Sequence, residues 1–199
     1  MKIAEARQLY NAEIRSYREQ QAILNKEKQE LDKKIKLTPD GKTIYANEAA
    51  QLELTITAVK EKQNEYQDYM DKLIEQWTAT ANVEAAKQQG EAMEKYAEDL
   101  GKIMEVARRI MHGDIVPATD EKKLMEYSME MYQAAKNIGA MARRKEREEH
   151  DSLWDDDEKE TVNPDPLDIA DNQEAFLEGP EIVAVADTMA SATMPATDE

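Results

Sequence analysis

IAEARQLYNAEIRSYREQQAILNKEKQELDKKIKL, residues 3–37, carries an apolar or aromatic side chain at every seventh position. This row consists of Ile3, Tyr10, Tyr17, Leu24 and Leu31. A second segment repeats the spacing with Tyr45, Leu52, Val59, Tyr66 and Leu73, and four residues after each of these come Ala49, Ile56, Gln63, Met70 and Trp77. Apolar rows at a and d spacing over five heptads are typical of a coiled coil.

The segment between the two rows predicts a turn. Pro39-Asp40-Gly41 combines a fixed φ, a side chain that bonds its own backbone and a residue that accepts positive φ. We therefore expect an antiparallel coiled-coil hairpin over residues 1–80, in which facing residues have numbers that add to about 80. Tyr17, Gln21 and Gln63 would then form a polar layer that fixes the register. The alternative is that these polar residues are incidental substitutions along a tolerant seam.

A shorter helical hairpin is predicted over residues 81–150. The heptad phase fails after Trp77, and 78–82 is interpreted as a break with Asn82 as the next N-cap. A broader stripe follows, made of Met93, Tyr96, Leu100, Ile103, Ala107 and Ile110. Gly113 is the expected C-cap, and one further helix is predicted from Thr119 or Asp120, with its C-terminal end frayed by Asp151.

The charge of the chain is concentrated at its C-terminal end. The formal net charge is −17, and residues 151–199 hold fifteen acids and one base. This composition predicts a largely disordered acidic tail after an all-α body. Apolar clusters interrupt the acids, and a short helix after Pro166 is possible in this composition. Three interpretations stay open: docking on a partner, docking on the protein's own Met-rich face, or an inert tail.

Nothing in the sequence predicts enzymatic chemistry. The chain has no cysteine and two histidines, and it lacks a nucleophile–base motif and a phosphate-binding loop. His112-Gly113-Asp114 is interpreted as a helix end, and Asp155-Asp156-Asp157-Glu158 as a solvated acidic run. We therefore expect no catalytic residue, no cofactor and no metal site. The charge argues against nucleic acid, and no apolar run is long enough to cross a membrane.

These patterns predict a non-enzymatic interaction or assembly protein, cytoplasmic and able to form a homodimer, whose protein partner is unknown. The alternative is a cytoplasmic chaperone or scaffold for an assembly or export client, and a tail-driven regulator that binds a basic partner is third. Seven methionines between residues 93 and 141 are compatible with an adaptable binding groove, although ordinary core packing in a helix pair is the favoured interpretation. The candidate partner-binding residues are Met93, Met104, Met111, Met125, Met131, Met141, Trp154, Leu167, Phe176 and Leu177.

Overall fold

A computed structural model describes residues 1–142, 147–154 and 162–193 of the chain. Its helices are α1 (Ile3–Leu37), α2 (Gly41–Ile44), α3 (Ala46–His112), α4 (Ala118–Tyr127), α5 (Met129–Met141), α6 (Pro166–Asn172) and α7 (Val185–Thr193). Within these residues, extended pairing is limited to two isolated bridges, Lys2 with Glu174 and Ile115 with Glu149. The predicted all-α class is confirmed.

The chain forms two compact units. Unit 1 comprises 1–84 and 165–199, and unit 2 comprises 85–164. The chain thus leaves unit 1 inside α3, builds unit 2, and returns to unit 1 with its C-terminal segment.

The core of unit 1 lies along the heptad rows. The row of α1 is buried throughout, and Val59, Tyr66, Met70 and Leu73 of α3 face it in one cluster. The pairing is antiparallel: Lys28 Nζ lies 2.8 Å from Glu53 Oε1, and the rings of Tyr10 and Tyr69 are 4.7 Å apart. These pairs have residue numbers that add to about 80, as predicted from the position of the turn.

The turn between the helices follows the predicted chemistry. Thr38 ends α1 and returns its backbone N–H to the carbonyl of Lys34. Asp40 has a φ of 55°, in the left-handed region that asparagine and aspartate tolerate better than most residues. A Cβ at position 41 would overlap the carbonyl oxygen of Ile35, so only glycine allows this close return of the chain.

The predicted helix break at 78–82 is wrong. Helix α3 runs without interruption for 67 residues, from Ala46 to His112. The segment 78–82 holds no glycine or proline, and its alanines favour helix, so loss of the heptad phase changes the buried face without ending the helix. Ala81, inside the expected break, is buried.

Unit 2 has its own core around the C-terminal part of α3. Ile103, Val106, Ala107 and Ile110 pack with residues that include Val116, Leu124, Ala135 and Trp154. The predicted cap is present: Gly113 has a φ of 84°, and its N–H donates to the carbonyl of Ile110. At Gly139 a Cβ would overlap that same carbonyl oxygen, so α5 approaches α3 closely here.

The single last helix, predicted from Thr119 or Asp120 and frayed by Asp151, is interrupted at Ser128, and its second part ends at Met141. Ser128 has extended backbone angles, ends α4, and caps α5 by accepting a bond of 3.1 Å from the N–H of Met131. Serine competes for backbone hydrogen bonds and therefore favours such cap positions. The periodicity of the apolar residues carries across this break and conceals it.

The C-terminal segment holds more structure than predicted in its described residues 162–193. Residues 162–193, expected to be largely disordered, include α6 and α7 and make many hydrogen bonds to α1 and α3. The predicted short helix after Pro166 is confirmed as α6. The acidic run Asp155-Asp156-Asp157-Glu158 lies outside the described residues.

Although α3 is long, none of the described helices is apolar enough over a sufficient length to cross a bilayer.

Candidate functional site

Four tyrosines form a continuous row on the helical hairpin of unit 1. Tyr10 and Tyr17 come from α1, one heptad apart, and Tyr66 and Tyr69 come from α3, one turn apart. Ring centroids lie 4.7 Å apart for Tyr10 and Tyr69, and 5.5 Å apart for Tyr17 and Tyr66 in an edge-to-face arrangement. We call these four residues the tyrosine row. Each ring is buried, so each hydroxyl requires a partner.

The partners are backbone carbonyls of one segment, residues 173–184, which joins α6 to α7 and which we call the strap. Tyr69 donates to Leu177 O at 3.1 Å and Tyr10 to Pro180 O at 2.7 Å. Tyr66 donates to Glu181 O at 3.0 Å and Tyr17 to Val183 O at 2.8 Å. The Tyr66 hydroxyl also accepts from the N–H of Val183, at 2.9 Å. The row therefore holds the strap through its main chain.

The side chains of the strap contribute little to this contact. Phe176 is 79% exposed, Leu177 52% and Ile182 38%, so the largest apolar groups point away from the hairpin. At Gly179 a Cβ would overlap the hydroxyl of Tyr10 and crowd the ring of Tyr69. Ala175 packs against the hairpin core. The row thus contacts a non-helical segment through its main chain, with small residues at the closest approaches.

Both ends of the strap are anchored. Before it, the Asp171 carboxylate accepts from Trp77 Nε1 at 2.7 Å and from Arg7 at 3.3 Å, while the Arg7 guanidinium lies 4.8 Å from the Trp77 ring centroid. At its start, the N–H of Ile3 donates to Gln173 O at 2.9 Å. After it, the hydroxyls of Thr188 and Tyr17 share a hydrogen bond of 2.6 Å, and Thr188 is buried.

Burial favours the neutral, protonated form of three tyrosines in the row. It is the main cause that raises the pKa of Tyr10, Tyr17 and Tyr69 above the ordinary value. For Tyr10 the neighbouring Tyr69 and Tyr66 raise the pKa further. The hydroxyls of these three tyrosines therefore stay protonated at neutral pH and act as donors to the strap carbonyls.

The predicted register layer has a different arrangement. The hydroxyl of Tyr17 bonds to Val183 and Thr188, and Oε1 of Gln63 is buried with no hydrogen-bond partner among the described residues. Gln21 is half-buried on α1. A role for these residues in fixing the register stays a prediction.

The structure places the candidate methionines in two environments. Met111 and Met131 pack against the core of unit 2, and Met125 is half-buried on α4. Met93, Met104 and Met141 are exposed, at 66%, 52% and 83%. Two of the six therefore belong to the core of unit 2, and a partner-binding role for the others stays a prediction.

Trp154 belongs to the core of unit 2. It is 9% exposed, and its Nε1–H donates to Asp99 Oδ1 at 2.9 Å. The fully buried carboxylate of Asp120 holds the adjacent chain by accepting from Ser152 Oγ at 2.6 Å and from the N–H of Leu153 at 3.0 Å. Leu167, by contrast, is 48% exposed on α6, and Phe176 and Leu177 are exposed on the strap.

The tyrosine row was not identified from the sequence as a binding feature. Its signal was present, because three of its members, Tyr10, Tyr17 and Tyr66, occupy heptad positions and introduce hydroxyls that a two-helix seam cannot satisfy by itself. No family model matches this chain, and neither the curated proteins nor the solved structures contain a match.

Proposed function

We propose that this chain is a non-enzymatic interaction or assembly protein whose N-terminal helical hairpin binds extended peptide segments along the tyrosine row. The observation that carries the proposal is the set of four tyrosine hydroxyls bonded to four main-chain carbonyls of one segment. The chain's own strap is the occupant in the resting state, and a partner's extended segment is the occupant in the bound state.

Recognition of the main chain suits exchange between occupants. Every residue other than proline offers the same N–H and C=O groups, so the row places few demands on sequence beyond small residues at the closest approaches. This resembles the way peptide-binding surfaces use the main chain for affinity and side-chain pockets for specificity. When a partner displaces the strap, the exposed side chains of Phe176 and Leu177 are available to bind that same partner.

A tethered occupant competes strongly with a free one. The strap is part of the same chain, and a short flexible tether gives an effective concentration on the order of millimolar. A peptide added in solution must therefore bind well, or the strap must be weakened, before exchange is visible. For this reason, attachment of the strap is weakened by substitution in the full-length chain.

The strap is detached by Val185→Asp with Met189→Asp, because both side chains pack against the core of unit 1 from α7. A fluorescent peptide with the sequence of residues 173–190 should bind this variant and not the wild-type protein, measured by fluorescence anisotropy. The matched control is Ile182→Asp, on the exposed side of the strap, which should leave the strap in place and the peptide unbound.

Two further samples separate recognition of the main chain from recognition of side chains. A peptide whose other side chains are shuffled, with Ala175, Gly179, Val185, Thr188 and Met189 kept in place, should bind with similar affinity. Adding Tyr66→Phe to the detached variant should weaken binding, since Tyr66 both donates to and accepts from the strap. A detached, helical variant that binds neither peptide would contradict the proposal.

A chaperone or scaffold for an assembly or export client is the second candidate, and the same main-chain recognition favours it. A chaperone must accept segments of different sequence and release them. An adaptor should stay in a complex of fixed stoichiometry, whereas a chaperone should suppress client aggregation and be absent from the finished assembly. Native co-purification of the detached variant, followed by mass spectrometry, distinguishes the two.

A further inference from the structure

Two distant segments of unit 2 are joined beside the end of α3. Ile115 and Glu149 form an isolated parallel bridge, in which the N–H of Ile115 donates to Glu148 O at 2.8 Å and that of His150 donates to Ile115 O at 3.0 Å. Side chains alternate between the two sides of extended backbone. Asp114, Glu148 and His150 therefore share the side opposite Ile115 and Glu149.

The three side chains converge on one small volume. One ligand atom from each of Asp114, Glu148 and His150 lies within 4.8 Å of the other two. Asp114 and His150 are half-buried, and Glu148 is exposed, so its carboxylate is able to move inward. Among the described residues, this is the one group of three or more His, Asp or Glu side chains whose ligand atoms lie close enough together to hold a metal ion.

The distance between the two half-buried groups suits a shared ion. His150 Nε2 lies 3.4 Å from Asp114 Oδ2, which is longer than the 2.7–3.2 Å of an ordinary N–H···O hydrogen bond. Two ligand atoms on a tetrahedral ion with bonds of roughly 2.0–2.1 Å lie about 3.4 Å apart. The pair is therefore spaced as two ligands of one ion would be.

The backbone on both sides is held in place. Gly113 ends α3 through its bond to Ile110, which fixes the start of the segment that carries Asp114. Asp120 accepts from Ser152 and Leu153, immediately after His150. Arg109 donates to Asp151 O at 3.4 Å. A preorganised backbone reduces the entropy that ligand binding must overcome.

One cation close enough to act on Asp114, Arg108, is already paired. Arg108 interacts with Asp114, but its guanidinium makes two hydrogen bonds of 2.7 Å to Glu105. These bonds, together with that from Arg109, lower the pKa of Glu105 to about 2. Glu105 therefore stays ionised and offsets the positive charge of Arg108 beside Asp114.

We propose that Asp114, Glu148 and His150 bind a divalent transition-metal ion, with Zn²⁺ as the probe. An imidazole nitrogen with two carboxylates is a ligand set for first-row transition ions, whereas Mg²⁺ and Ca²⁺ take oxygen ligands. The exposed side of the site leaves a fourth position for water. The ion ties residues 148–150 to the end of α3, and the proposal does not depend on the peptide-binding function.

The test uses the full-length chain and the only two histidines in the sequence. Isothermal titration with Zn²⁺ should give one site in the wild type, and His150→Ala or Asp114→Asn should weaken it at least tenfold. His112→Ala is the matched control, because His112 is an exposed histidine at the end of α3, and this variant should bind normally. Mg²⁺ should produce no comparable heat.

A spectroscopic readout identifies the ligand directly. Diamagnetic Zn²⁺ should strongly shift the imidazole nitrogen resonances of His150 and leave those of His112 nearly unchanged, with the two rings assigned from the two alanine variants. Failure of the wild type to bind Zn²⁺ overturns the proposal. Binding that persists in His150→Ala, or that is lost in His112→Ala, also overturns it, since the ion would then be held elsewhere.

Discussion

At the scale of single residues, Gly179 is where the strap passes closest to the tyrosine row. A Cβ at this position would overlap the Tyr10 hydroxyl and displace it from Pro180 O. We expect Gly179→Ala to weaken attachment of the strap by about 1–3 kcal/mol, the usual cost of overpacking a close contact. The measurement is hydrogen exchange of the amides of residues 173–184.

The matched control for this substitution is Phe176→Ala, also on the strap but at a side chain that is 79% exposed. This substitution should leave the amide hydrogen-exchange rates of the strap nearly unchanged. If Gly179→Ala also leaves it unchanged while the protein stays helical, the close passage over Tyr10 is not important for attachment.

Asp120 gives a second prediction at this scale. Its carboxylate is fully buried and accepts from Thr119, Ser152 and Leu153. Asp120→Ala leaves buried donors unsatisfied, which costs about 1–3 kcal/mol. Urea unfolding followed by Trp154 fluorescence, in a Trp77→Phe background, should show this loss in unit 2. Glu126→Ala, at an exposed ion pair of α4, should cost less than about 0.5 kcal/mol.

At the scale of helices, α3 holds two glycines whose missing side chains serve no visible packing role. A Cβ at Gly90 or at Gly101 would meet no atom within 4 Å. Glycine inside a helix costs about 0.5–1 kcal/mol relative to alanine. We therefore expect Gly90→Ala and Gly101→Ala each to raise stability by up to that amount, measured by thermal unfolding monitored at 222 nm.

The matched comparison for these two positions is Gly139→Ala in α5. Its Cβ would overlap the carbonyl oxygen of Ile110, so the same substitution should destabilise unit 2. Equal effects at all three positions would mean that helix propensity outweighs the close approach of α5 to α3.

The helices also show which sequence signals predict buried faces and which fail to predict helix boundaries. Heptad rows predicted the buried faces of α1 and the first part of α3, and the Gly113 cap was predicted correctly, because local chemistry alone determines both. The phase change at 78–82 and the continuous stripe across Ser128 gave wrong helix boundaries. Periodicity reports which side chains are buried and does not report whether the backbone stays helical between them.

At the scale of the whole chain, the candidate binding site depends on contacts that no local pattern encodes. The hydroxyls of Tyr10 and Tyr17 meet carbonyls about 170 residues later in the sequence. The composition of residues 151–199 indicates weak hydrophobic driving force, which is correct, yet the strap is held by hydrogen bonds that composition does not measure. The buried tyrosines of the hairpin supply these hydrogen bonds through their hydroxyl groups.

The dependence of the strap on neutral tyrosines gives the last prediction. Tyrosines in the unfolded chain ionise near pH 10, and burial raises the pKa of Tyr10, Tyr17 and Tyr69 above that value. Above about pH 10 the unfolded state therefore binds fewer protons than the native state, so stability must fall as the pH rises. Ionised tyrosines also cannot donate to the strap carbonyls. We expect the urea midpoint to drop above pH 10 in the wild type, and the drop to be smaller when these three tyrosines are replaced by phenylalanine. Tyr96→Phe, at an exposed tyrosine of α3, should keep the wild-type slope, and an equal slope in all three proteins would contradict a role for the tyrosine row in this transition.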